Sequence, residues 1–185
     1  MKKLIIPAAL LLGTVLVSCA NTQDKTASDI NQASSTAADI TDNQNDLKGT
    51  FSFDGKEVSA PTETQYFGDK EKGNFSVLCQ HNESDEPTNS NFELLQVTFS
   101  NEKDATSNAA LKINDGAMLP MSDPQTGLVA VALSGLGNNL GSKQFVGTDK
   151  STGTITVKNR VIEIKSLVLY NADGEKRIVN ASLPF

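Results

Sequence analysis

Tryptophan is absent from this chain of 185 residues, histidine occurs once, at His81, and cysteine twice, at Cys19 and Cys79. Each scarcity removes a class of chemistry. One histidine cannot build a cage of several imidazoles around a metal within one chain, and a serine triad would have to use His81. No Gly-x-Ser-x-Gly elbow stands beside it, because Ser134 in Leu133-Ser134-Gly135-Leu136-Gly137 lacks the glycine two positions earlier. The expectation is a protein that is not an enzyme. With no Trp and two Tyr, the aromatic girdles of a transmembrane β-barrel are missing, and so are the usual stacking platforms for glycans. Positive charge is short as well: 16 Lys and Arg against 22 Asp and Glu give a net charge of −6. That balance argues against nucleic acid and against anionic lipid headgroups as partners. Finally, no apolar run reaches spanning length. The longest, Leu4 to Val17, covers about 21 Å as a helix against a hydrocarbon core of about 30 Å.

What is present begins with that run. Lys2 and Lys3 precede it, and Pro7, Gly13 and Thr14 are its only interruptions, which is the layout of a secretory signal. At its end Leu16-Val17-Ser18-Cys19 resembles the lipobox of bacterial lipoproteins: an aliphatic residue, a small or β-branched one, a small one, then cysteine. The resemblance covers the first nineteen residues. It implies cleavage before Cys19 and a diacylglyceryl group on its thiol, with an N-acyl (palmitate-type) chain on the new amine in many bacteria. Two or three acyl chains hold a protein on a membrane where one binds reversibly. Ala20 stands where the family's inner-membrane retention signal places Asp, so the resemblance leans toward the outer membrane of the cell envelope.

Residues 1–18 are thus read as a lipoprotein signal peptide and 19–48 as lipidated cysteine plus tether. From Ala20 to Lys48 the chain is Asn, Thr, Gln, Ser, Asp and Ala, with Ile30, Ile40 and Leu47 its only sizeable apolar groups. Such a segment cannot bury enough surface to fold alone, so a disordered leash is expected, reaching about 95 Å when extended. Ile30, Ala33, Ala37 and Ile40 lie near helical spacing, which leaves a helix induced by a partner as the other reading.

Residues 49–185 are read as one domain. Period-two alternation dominates it: Phe75, Val77 and Cys79; Leu95, Val97 and Phe99; Ile155 and Val157 between Thr154, Thr156 and Lys158. Gly127 to Leu133 is apolar on both parities and suits a central strand with something packed closely on its small residues. Val161–Tyr170 and Arg177–Phe185 flank Asp173-Gly174, a hairpin signal, and Phe185 is expected to help close the core. Turn spacing gives eight to ten strands and no helix. The fold expected is all-β, an antiparallel β-sandwich, with a small β-barrel as the alternative. With its lipobox, polar tether and opening Gly49-Thr50-Phe51-Ser52-Phe53-Asp54-Gly55-Lys56, the chain resembles small β-sandwich lipoproteins of Gram-negative envelopes, a likeness that carries no activity.

Three candidate sites remain. Cys79 is the one thiol left after lipidation of Cys19, and sharing a strand face with Phe75 and Val77 it reads as buried and inert. Glu83, Asp85 and Glu86 lie in a loop rich in hard oxygen ligands, but their spacing matches no calcium loop, so a solvated hairpin connection is preferred to a calcium site. Met118, Leu119 and Met121 are apolar residues in a turn-rich stretch, which either tucks into the core or presents an adaptable surface to a partner. The glycines of Ser134–Ser142 precede no helix, so a phosphate loop is set aside for a connection between strands.

The function expected is a membrane-anchored envelope lipoprotein with a non-enzymatic binding or structural domain, its partner an unidentified protein or small molecule. The alternatives are a small-ligand carrier in the periplasm and an accessory subunit of an envelope complex recruited through the tether.

Overall fold

A computed structural model describes residues 47–68, 70, 73–83, 91–119, 125–135, 140 and 143–185. The leader, the lipobox and the tether up to residue 46 lie outside the described residues, as do Asp85, Glu86 and Met121.

The strands are β1 (Lys48–Phe53), β2 (Lys56–Phe67), β3 (Asn74–Asn82), β4 (Phe92–Phe99), β5 (Ala110–Ile113), β6 (Leu128–Gly135), β7 (Gln144–Val146), β8 (Thr154–Lys158), β9 (Val161–Tyr170) and β10 (Lys176–Pro184). One helical turn, α1 (Glu102–Ala105), follows β4. The all-β expectation holds, and of its two architectures the barrel is the one adopted. The ring runs β10-β1-β2-β3-β4-β6-β5-β8-β9 and returns to β10, a closed barrel of nine strands. A sandwich would leave edges, whereas here β10 pairs with β1 on one side and β9 on the other.

Local chemistry sets the register. Asp54 and Gly55, at φ 50° and 80°, form the two-residue turn that pairs Phe53 with Lys56, and Asn159 and Arg160, at 51° and 60°, do the same between Lys158 and Val161. In the β9–β10 hairpin the Asn171 side-chain oxygen accepts from the backbone N–H groups of Asp173 and Glu175, holding the turn around Gly174. The strands flanking these turns carry the alternation inward. Phe51, Phe53, Val77, Leu95, Val97, Val131, Leu133, Ile155, Ile162, Ile164, Leu167, Leu169, Val179 and Leu183 all fill the interior. Each large apolar side chain buried this way contributes about 1.5–3 kcal/mol before the entropy of ordering is charged against it.

The outer wall is polar over most of the ring: Glu57, Ser59 and Glu63 on β2, Thr154, Thr156 and Lys158 on β8, Lys165 on β9 and Asn180 on β10 are exposed. An apolar inside with a polar outside is the reverse of a membrane-spanning barrel. The wall is different at β3, β4 and β6, where the outward Ser76, Thr98, Ala130 and Ala132 are buried. The β5–β6 connection is tied down beside them, since Asn74 Nδ2 donates to the Leu119 carbonyl at 3.2 Å and Ser100 Oγ to that of Gln125 at 2.5 Å. This accounts for the small Ala130 and Ala132 on the outward parity of β6.

Between β6 and β9 the ring is closed in two pieces. At one end β5 runs parallel to β6 and antiparallel to β8; at the other β7 joins β6 and touches β9 through Val146 and Tyr170.

Candidate functional site

The barrel has two ends with different chemistry. Lys48 opens β1 level with Pro184, Val161 and Lys158, so the chain enters the barrel at the end that also holds α1 and Phe185. We call this the entry end. The turns at 54–55 and 171–175 and the tips of β3, β4 and β6 mark the opposite end.

At the opposite end the inward positions turn charged. Glu93 shares the parity of Leu95, Val97 and Phe99, and its carboxylate is fully buried. Lys56, on the parity of Val58, reaches across β3 to pair with it, and lies 3.6 Å from Glu83 as well. Gly135 stands opposite Glu93, and a Cβ there would collide with the Phe92 carbonyl, so only glycine permits this approach of β4 and β6. Across the rim the Arg177 guanidinium lies over the Phe145 ring at 4.6 Å, with Nε 2.6 Å from Asp54 Oδ2. Lys56 and Arg177 at this rim are each matched by a carboxylate, an arrangement suited to closing the barrel.

At the entry end Phe185 is the plug. Its ring packs 5.8 Å from Phe75 and 6.5 Å from Phe99. Arg160 lies over that ring at 4.8 Å and donates Nε–H to the Phe185 main-chain oxygen at 2.8 Å. Glu102 of α1 accepts from Tyr66 Oη at 2.6 Å and lies 3.8 Å from Arg160. Burial, then the hydrogen bond to Glu102 and its charge, push the Tyr66 phenol up to about 12.

Of the residues singled out in the sequence, the described ones are not brought together. Cys79 faces the interior, wholly buried, with Sγ 3.6 Å from the Ala60 carbonyl; burial pushes its thiol up to about 11. Glu83 has the ammonium of Lys56 as its neighbour where a calcium site would need further oxygens. Among the described residues no three Asp, Glu, His or Cys side chains converge as metal ligands. Met118 and Leu119 split: Met118 is 60% exposed while Leu119 is buried. The loop both tucks in and presents one methionine outward. Lys56, Glu93, Tyr66, Glu102 and Arg160 were not singled out, although parity marks Glu93 and Lys56 as charged residues at inward positions.

Two adjoining grooves lie on the outer wall of β1 and β10, sharing Ser52 and Asn180. Lys176 and the half-exposed Ile178 line the first, and Thr50, Glu57, Glu163, Lys165 and Ser182 line the second. They are open to solvent, and neither enters the packed interior. Among the described residues no helix is long and apolar enough to cross a membrane. Comparison with protein-family models, with curated proteins and with solved structures finds no match to this chain.

Proposed function

We propose that this chain is a lipid-anchored protein of the bacterial envelope, outer membrane rather than inner, whose barrel is a non-enzymatic binding or structural module. The observation that carries the reading is Leu16-Val17-Ser18-Cys19 at the end of a charged and then apolar leader, followed by a polar segment and a domain with a polar exterior. The anchor is a diacylglyceryl thioether on Cys19, with an acylated amine, and the barrel hangs from it by its entry end.

The packed interior bears on the carrier alternative. A barrel that carries a small ligand needs interior space, and here Phe51, Phe53, Phe75, Phe99 and Phe145 occupy it together with the aliphatic residues of nine strands. A partner is therefore met on the outer wall or at the rims. Growth with labelled palmitate tests the anchor: label on the wild-type chain and none on Cys19→Ala is expected, and label retained by the variant would sink the reading. Protease treatment of intact cells, with lysed cells as control, then assigns the barrel to the cell surface or the periplasm.

A further inference from the structure

We infer that Lys143 is a latch: its ammonium holds β7 to the β9–β10 turn, so that ionic strength sets how often the wall opens between β7 and β9. That stretch is thin in backbone bonds. Gly147 N–H donates to Val131 O on β6 at 3.0 Å and Asn171 N–H to Glu175 O at 3.0 Å, each turned away from the seam. The β7–β9 pair of Val146 and Tyr170 is therefore the kind in which two residues exchange N–H···O bonds. Two residues back along β9, Val168 N–H donates to Thr152 O instead of to β7.

Charge supplies what the ladder lacks. Lys143, the residue before β7, has Nζ 2.6 Å from Glu175 Oε2 and 3.5 Å from Asp173 Oδ2. The receiving turn is built in advance. Asn171 Oδ1 accepts from the N–H groups of Asp173 and Glu175, and Asn171 Nδ2 donates to Glu175 Oε2 at 2.7 Å, so both carboxylates are positioned by the turn itself. The hairpin also reaches back, since the Arg177 guanidinium of β10 lies over the Phe145 ring of β7 while Asp54 fixes its other side. The contrast is β5, which closes the other end of the same interval by backbone bonds: Lys112 N–H to Gly127 O at 3.0 Å, Asn114 N–H to Val129 O at 2.8 Å and Val157 N–H to Ala109 O at 2.9 Å.

Phe145 on β7 and Leu169 on β9 are wholly buried in the closed ring and flank this seam. Opening it bares both, and gives apolar groups access to the interior through this section of wall. An exposed pair such as Lys143–Glu175 shifts an equilibrium by a few-fold and weakens as salt rises, which suits it to tuning an opening that the rest of the barrel does not share.

The test is amide exchange of the full chain, followed residue by residue by NMR, at about 0.01 M and about 1 M sodium chloride, between which the screening length falls from about 30 Å to about 3 Å. Val146 N–H should exchange about two- to fivefold faster at high salt. Gly147 N–H on the β6 side, and Lys112 and Asn114 N–H at β5, should not follow it, which separates the latch from a general loosening of the barrel. Lys143→Gln should bring Val146 to the high-salt rate already at low salt and remove most of its response. Lys112→Gln, an equal loss of charge at β5, should leave that response intact. A Val146 rate indifferent to salt, a rise shared equally by the β5 amides, or a response undiminished in Lys143→Gln overturns the inference. The barrel itself is read, so the outcome of palmitate labelling at Cys19 does not bear on it.

Discussion

At the scale of single residues, the interior holds two polar groups that behave in opposite ways. The Cys79 thiol lies among apolar neighbours, and burial keeps it protonated, so it reacts only when the wall opens. A maleimide should label it slowly in buffer and at once in denaturant; immediate stoichiometric labelling in buffer would contradict the described core. Glu93 is the harder case, a fully buried carboxylate satisfied in part by a partly exposed lysine. Lys56→Met leaves that carboxylate buried opposite a methyl group and should cost about 3 kcal/mol in urea melts, near the lower end for a broken buried pair. Glu93→Gln should cost less, because Lys56 keeps Glu83 and a path to water. Replacing both, Lys56→Met with Glu93→Leu, should recover most of the loss. Cys79 was legible because three alternating apolar residues set its face. Glu93 and Lys56 were equally marked by parity, yet a charge at a strand tip is ordinarily solvent, and only the closed ring turns that tip inward.

At the scale of elements, alternation located the long strands and could not say how they join. Sandwich and barrel both want one apolar face per strand, so the choice between them lies in which strands pair, and pairing is not written in periodicity. What settles it is short: β5, β7 and the single turn α1 carry too few residues to show a period, and β5 with β7 bridges the space between β6 and β9. Among the described residues the β5–β6 ladder holds two residue pairs, Lys112 with Leu128 and Ile113 with Val129, and the β7–β9 ladder one, Val146 with Tyr170. Local opening should begin there. In hydrogen exchange, amides of 110–113 and 144–146 should exchange well ahead of those in β9 and β10; uniform protection around the ring would mean the bridge is as firm as the rest. The loop with Met118 and Leu119 was readable only as a choice between core and surface, and it takes both because adjacent residues in an extended connection point to opposite sides.

At the scale of the whole molecule, pH should act from the alkaline side. Tyr66 and Cys79 both hold their protons more tightly when folded, so their contribution to stability is complete below the unfolded values and disappears as pH rises through the folded ones. For Cys79 the window runs from about 9 to about 11 and for Tyr66 from about 10 to about 12. Urea midpoints should fall across this range, and Tyr66→Phe should remove the upper part of the fall while leaving the lower. An unchanged profile in the variant would show that the Tyr66–Glu102 contact does not sense the phenol's proton. The Tyr66, Glu102 and Arg160 contacts were not legible in the sequence, since residues far apart in the chain become neighbours only when the strand ends are gathered at one end of a ring.

The junction of β1 with β10 sets an order of events. Phe51 faces Ala181, almost the whole length of the barrel apart in sequence, so the ring stays open until its last strand has been supplied. Long-range pairing of this kind is slow. Under the export reading proposed above, that delay is protective, because a barrel that waits for its final strand cannot lock before the chain has been threaded through a membrane.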